Sequence, residues 1–288
     1  MLKKILGIDP KLEPDGSHAP SKVSLMLATT DKTDYQKVDS SPLPETKSRV
    51  LVIMTEQKNM KMKNGKLFST GNHPVETLVP MLHLQSAGYE LEIATPTGKS
   101  AVIEMWAFPK KDEHVRSIYT EYREHFEAPN NLSELVSNGL NAEDYAAIFV
   151  PGGHGAMLGL PENRAVGSAL RWAHDNDLLT ISICHGPAAF FSTLKPESDF
   201  IYHGYRMAVF PDSVDALTPF IGYLPGNMPW KLSQKLKDFG VELVNRAADN
   251  TVCSDRLLIT GASPLAANAL GKLAVEKLSF LTSQKKTS

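Results

Sequence analysis

The run at residues 178–191, L-L-T-I-S-I-C-H-G-P-A-A-F-F, constrains the fold more than any other stretch of this chain. An apolar β-type run stops at Cys184, turns through His185, Gly186 and Pro187, and restarts at Ala188 as an apolar helical pattern. A strand that is aliphatic on both sides has to be covered on both faces, the condition of an inner strand in a parallel α/β sheet. Residues 49–56 (R-V-L-V-I-M-T-E), 89–96 (Y-E-L-E-I-A-T-P) and 145–153 (Y-A-A-I-F-V-P-G-G) read the same way. Further strands are predicted at 179–183, 206–210, 241–244 and 256–260. Helical spacing is predicted over 77–87, closed by Gly88, and near 164–176, 230–239 and 264–278. Alternation of strand and helix with short turns predicts an α/β fold with a doubly wound, mostly parallel sheet sandwiched by helices.

The pattern also sets the expected organisation. Residues 1–48 are rich in Pro, Ser, Asp and Lys, with one apolar patch at 23–28, and read as an irregular arm. Residues 49–288 read as one catalytic α/β domain, and 58–72, with Gly65 and Gly71, as a loop in it. The segment 97–144 breaks the alternation: Trp106, Phe108, Ile118, Tyr119, Tyr122 and Phe126 stand among many charges, which predicts helices in a small inserted cap region. A formal charge of −2 gives no basic footprint for purely electrostatic nucleic-acid binding. Two cysteines cannot build a secreted disulfide framework, Asp9 and Pro10 interrupt any signal-peptide core, and no apolar run approaches ~20 residues. A cytoplasmic protein without a membrane span is expected.

Cys184 is the candidate nucleophile. A thiol on a sharp strand-to-helix turn stands at the sheet's edge, and the amides of the following helix favour the thiolate. A free thiol of pKa ~8.5 is only about 3% ionised at neutral pH, so that help is worth roughly 2 kcal/mol at most. Ligands in such sheets sit at the carboxyl ends of the strands. There the P-G-G-H-G loop places Gly152 and Gly153, whose amides suit an oxyanion hole, although the same glycines suit a plain tight turn. Glu76, just past a strand-to-helix loop, can shuttle protons if burial raises its affinity for them; equally, it can be a first-turn acid favoured by the helix dipole. His185 is a candidate base, and either Asp212 or Asp215 of F-P-D-S-V-D can orient it; spacing does not choose. His73, His83, His154 and His203 read as ordinary hydrogen-bonded residues and Cys253 as structural. Neither H-E-x-x-H nor paired C-x-x-C occurs, so no metal is expected, and no G-x-G-x-x-G opens a helix, so no nucleotide cofactor is.

Taken together, G-K-L-F-S-T-G-N-H-P-V-E-T-L (65–78), Y-A-A-I-F-V-P-G-G-H-G-A (145–156), C-H-G-P-A-A-F (184–190), F-P-D-x-x-D (210–215), I-G-Y-L-P-G (221–226) and A-A-N-A-L-G-K-L-A (266–274) resemble the class I glutamine amidotransferase-like, PfpI-type superfamily. Within it the chain is similar to the HchA-type branch of bacterial heat-shock chaperones, also described as glyoxalase III and protein/nucleic acid deglycases. W-A-F-P-K-K-D-E near Trp106 resembles that branch's cap region. The resemblance implies a flavodoxin-like fold and a homodimer. By motif it makes Cys184 the nucleophile, His185 its neighbouring histidine, Asp215 the acid completing the triad, Glu76 the acid on the thiol, and Gly152 and Gly153 the oxyanion loop. The branch's metal site of two histidines and a glutamate falls here on Gln85, Glu90 and Tyr122, so only the carboxylate survives and no zinc is expected. The first forty-eight residues depart from the branch's aromatic-containing arm.

The function so implied is that of a cofactor-free cysteine enzyme, independent of glutathione. It would convert methylglyoxal or glyoxal to hydroxy acids and remove early glycation adducts from proteins and nucleotides, as a stress response. The alternatives are a holdase for unfolded proteins, and a Cys-dependent amidase or aminopeptidase.

Overall fold

Successive residues of the run at 49–53 are buried in opposite directions. Val50 and Val52 lie in one apolar cluster with Leu78, Leu84, Ile118 and Leu270, while Leu51 and Ile53 lie in another with Val166, Leu170 and Phe190. Residues 147–150 repeat the division, with Ala147 and Phe149 in the first cluster and Ile148 and Val150 in the second. A period of two with both faces buried is what an inner parallel strand requires. Each such side chain, fully withdrawn from water, contributes on the order of 2 kcal/mol.

The computed structural model describes residues 6–37, 49–195 and 200–285. In chain order it begins with β1 (Lys11–Leu12), β2 (Ser17–Ala19), α1 (Lys22–Ala28), β3 (Arg49–Ile53), β4 (Met60–Lys61), β5 (Leu67–Phe68) and α2 (Pro74–Ser86). Next come β6 (Glu90–Thr95), α3 (Glu113–Glu127), β7 (Asn130–Asn131), α4 (Leu132–Asn138), β8 (Tyr145–Val150), α5 (Arg164–Asp175) and β9 (Leu179–Ile183). The chain continues through β10 (Arg206–Met207), α6 (Asp212–Asp215), α7 (Leu232–Asp238), β11 (Glu242–Leu243), β12 (Val252–Asp255), β13 (Leu258–Gly261) and α8 (Ala267–Lys285).

Seven strands form the main sheet in the order β12-β13-β9-β8-β3-β6-β7. All neighbours run parallel except the edge hairpin β12–β13. The fold is therefore the expected α/β sandwich with a mostly parallel sheet. β3 has β6 on one side and β8 on the other, so the winding reverses there, and a crevice opens beyond the carboxyl ends of the strands. The segment 97–144 sends Val115, Ile118, Tyr122 and Phe126 into the cluster that also holds α2 and α8.

Several local expectations are corrected. The predicted strands at 206–210 and 241–244 do not join the main sheet: β10 and β11 pair with each other in a separate parallel ribbon. The place beside β13 is taken by β12, and the amides of Ala208 and Val209 bond instead to side chains, Thr260 Oγ1 (2.8 Å) and Asn245 Oδ1 (3.0 Å). The expected loop at 58–72 carries β4 and β5, which form a four-stranded sheet with β1 and β2 of the arm. The arm is thus more regular than its composition predicts. Its apolar patch is α1, capped by Ser21 Oγ on the Ser24 amide (3.1 Å) and docked through Ser21 N–H on the Gly222 carbonyl (2.8 Å). Residues 1–5 and 38–48 of the expected arm, including its boundary at residue 48, lie outside the described residues. Among the described residues, no helix is long and apolar enough to cross a membrane.

Candidate active site

β9 ends at Ile183, and Cys184 takes the left-handed conformation with φ 58°. Such a residue costs on the order of 1 kcal/mol unless its surroundings fix it. Here the Cys184 N–H donates to the Gly261 carbonyl (2.8 Å), and the Cys184 carbonyl accepts from the Phe210 N–H (3.1 Å). The turn therefore aims the sulfur, as expected, but it does not ionise it. The thiol is only 3% exposed, and the helix expected after Pro187 is a 3-10 run, Gly186–Thr193, with a poorer array of amides. Burial, with Glu76 beside it, pushes the Cys184 thiol well above its ordinary value.

His185 Nδ1 lies 3.2 Å from Cys184 Sγ, and its Nε2 lies 2.9 Å from Asp215 Oδ2. The choice that spacing left open is made by geometry. Asp215 meets the imidazole, whereas Asp212 accepts the amides of Ser233 (3.0 Å) and Gln234 (2.8 Å) at the start of α7. A second histidine joins them: His154 Nε2 lies 2.9 Å from the other oxygen, Asp215 Oδ1, and its ring stands 4.1 Å from that of His185. His154 is therefore not an ordinary loop residue, and its place in P-G-G-H-G, directly after the two glycines, was the signal available for it. Burial works against the Asp215 charge, but the two imidazoles outweigh it and hold the carboxyl below its usual range.

Glu76 stands in the first turn of α2, fully buried, with the Cys184 thiol and the Gly153 N–H turned toward it. Neither of its oxygens reaches full hydrogen-bond geometry. Burial raises its carboxyl to about 8, so it holds a proton near neutrality. Gly152 explains how these groups fit so closely: a Cβ there would strike the Glu76 carboxylate and come within 2.9 Å of Cys184 Cβ. Gly153 has φ 96°, and a Cβ there would meet the backbone of Gly71 and His73. Glu104 and Tyr223 escaped the sequence reading, and His73 is not the ordinary hydrogen-bonded residue expected. Glu104 is buried, with Oε1 accepting from Thr70 Oγ1 (2.5 Å) and the Gly71 amide (3.2 Å), and burial raises it to about 7. His73 is buried with Nδ1 unpartnered and pushed down to about 3 by burial. Tyr223 packs against His154, Trp106 and Phe68, and burial raises its hydroxyl far above its usual value. A cleft of about 210 Å³, walled by Lys63, Met228 and Trp230, reaches Asp215.

The donor set does not favour a metal. His154, His185 and Asp215 bring one ligand atom each within 4.8 Å of one another, but both imidazole Nε2 atoms are already spent on the carboxylate. At the positions matching the branch's metal site, Gln85 donates to Glu121 (2.5 Å) and Glu90 is paired with Arg49 (3.3 Å). Tyr122 beside them is a phenol held protonated by burial. An amide, a paired carboxylate and a protonated phenol do not make a zinc site.

The chain is similar to known proteins over most of its length. The profile of the DJ-1/PfpI family matches residues 66–195. The protein/nucleic acid deglycase HchA of Escherichia coli O7:K1 (strain IAI39 / ExPEC) is 46% identical over 265 residues, covering 92% of this chain and 93% of that protein. Protein/nucleic acid deglycase 1 of Escherichia coli (strain K12) is 45% identical over the same shares. The crystal structure of glyoxalase III (Orf 19.251) from Candida albicans superposes with a TM-score of 0.64, covering 79% of this chain and 96% of that one. At 21% identity that last likeness speaks for the fold.

Proposed function

This chain belongs to the DJ-1/PfpI family, and on that premise we propose that it is a glutathione-independent glyoxalase and protein/nucleotide deglycase whose nucleophile is Cys184. The observation that carries the reading is one sulfur held between an imidazole nitrogen at 3.2 Å and a buried carboxyl group that keeps its proton near neutrality. His185 Nδ1 accepts the thiol proton as the sulfur adds to the aldehyde carbon of methylglyoxal, giving a hemithioacetal. The Gly153 N–H, turned toward Glu76 and the Cys184 sulfur, is the donor offered to the oxygen that becomes negative there, with Gly152 opening the space beside it. Glu76 gives its proton to the alkoxide formed by the addition, and the carboxylate so formed takes the proton from the former aldehyde carbon and returns it to the neighbouring carbon, converting the hemithioacetal through an enediol to a thioester. Water cleaves the thioester to lactate and restores the thiol. The net change is an internal oxidation and reduction plus one water, so no external redox cofactor is consumed. Deglycation applies the same attack to early adducts on Arg, Lys or Cys side chains or on nucleotides. A cytoplasmic homodimer acting under stress fits this role.

Lactate formation from methylglyoxal by the purified protein, with no glutathione and no added metal, tests the reading. Free amino acids released from short peptides, with no oxoaldehyde turnover, would favour an amidase or aminopeptidase instead. A holdase activity has one observation in its favour: Met26 (83% exposed), Leu27 (71%) and Phe220 (70%) are large apolar side chains open to water. Suppression of aggregation that survives Cys184→Ser but is lost in Met26→Ser/Leu27→Ser/Phe220→Ser assigns that work to the surface.

A further inference from the structure

Asp215 serves two imidazoles, and a single carboxylate balances a single cation. His154 and His185 each place Nε2 at 2.9 Å from a different oxygen of Asp215, with their rings 4.1 Å apart and inclined by 33°. Two imidazolium ions at that distance in a buried site repel strongly, so the proton settles on one ring. The surroundings of the two differ. On the His154 side stands a second acid, Glu104, whose Oε2 is buried and without a hydrogen-bond partner. His73 and the Tyr223 ring (6.0 Å) complete that side. His185 faces Cys184, Phe210 and His154, while Asp212, the other acid near it, is committed to the amides of α7.

We propose that His154 is a positioning residue that carries the resident positive charge of the site, supported by Asp215 and Glu104, and thereby keeps His185 neutral and able to take the Cys184 proton. The proton affinities run the same way. Burial lowers both histidines, but Asp215 and Glu104 more than restore His154, whereas His185, beside that charge, stays below its ordinary value. His73, lowered by burial and by both neighbours, is a neutral bystander. Glu76 and Cys184 form a separate acid pair, and Glu104 reaches both sets, raising Glu76 while supporting His154.

The inference rests on the proposed role of Cys184, so its test begins with a measurement that needs no turnover. Ring nitrogen NMR of the ¹⁵N-histidine-labelled full chain near neutral pH, assigned with His154→Gln and His185→Gln, should show two protonated nitrogens on His154 and one on His185. The reverse pattern, or two neutral rings, overturns the proposal whether or not methylglyoxal is a substrate. With methylglyoxal, His154→Gln, which retains a donor near the Nε2 position, should move the acid limb of kcat/KM upward by about one pH unit, because His185 then keeps its proton longer. Glu104→Gln should shift the limb in the same direction by less. A uniform loss of rate in His154→Gln with the limb unmoved would mean a merely structural role and overturn the proposal. Should His154→Gln fail to fold, Glu104→Gln and the wild-type spectrum still decide it.

Discussion

Gly152 lies where any side chain would collide with the carboxylate of Glu76. This residue is small because the Glu76 carboxylate, the Ile183 carbonyl and the Cys184 side chain crowd the space a Cβ would take, not because a turn demands it. Gly152→Ala is expected to displace Glu76 or Cys184 by a fraction of an ångström or more and to lower kcat/KM with methylglyoxal by about a hundredfold. The variant should still unfold cooperatively, since the added methyl overpacks one point and costs on the order of 2 kcal/mol. Circular dichroism melts and steady-state kinetics on the same preparation check both halves.

Glu76 makes stability depend on pH in a direction opposite to that of ordinary surface acids. Its carboxyl rises from 4.5 to about 8 on folding, so the folded chain binds this proton more tightly than the unfolded one. The stability it supports is fully present below about pH 4.5 and is lost as pH rises through about 8. Urea unfolding at about pH 5 and about pH 8 should show wild type losing on the order of 3 kcal/mol more than Glu76→Gln over that interval. His73 acts on the acid side. Lowered to about 3, its contribution is present above the usual histidine range and is lost as pH falls toward that value.

Asp212 and Asp215, three residues apart, are expected to separate stability from chemistry. Asp215→Asn removes the charge that orients His185 and His154, and should lower kcat/KM by on the order of a thousandfold. Asp212→Ala removes the acceptor of two amides at the start of α7, and should cost about 1 kcal/mol of stability with kcat/KM within about tenfold of wild type.

Among the described residues, Gln85, Glu90 and Tyr122 do not form a zinc site, and both Nε2 atoms of His154 and His185 are spent on Asp215, so we predict that activity needs no metal. Dialysis against EDTA should leave methylglyoxal turnover unchanged, and metal analysis of the purified protein should find zinc well below one equivalent. Loss of turnover on dialysis with recovery on adding zinc would contradict this.

The inner strands and the elbow were legible in the sequence because their signal is local: an aliphatic run with a period of two, ended by Cys184 and a Gly-Pro turn. Glu76 and Cys184 could be named for the same reason, each lying directly after a strand-to-helix junction. The short strands β10 and β11 were misplaced because an apolar run states that a segment is extended, not which neighbour it pairs with. His154 and Glu104 were missed because their roles depend on contacts across the chain, His154 to a carboxylate sixty-one residues away and Glu104 to Thr70. The ionisation of Cys184 was misjudged because the turn's geometry can be read from sequence, whereas the burial that opposes the charge cannot.

The most direct test of the account is the mass of the Cys184 peptide after acid quench of a single turnover with methylglyoxal. The account predicts a transient adduct of one methylglyoxal on that peptide, absent in Cys184→Ser, whose lactate formation is abolished. An unmodified Cys184 at every time point, together with continued lactate formation by Cys184→Ser, would contradict it.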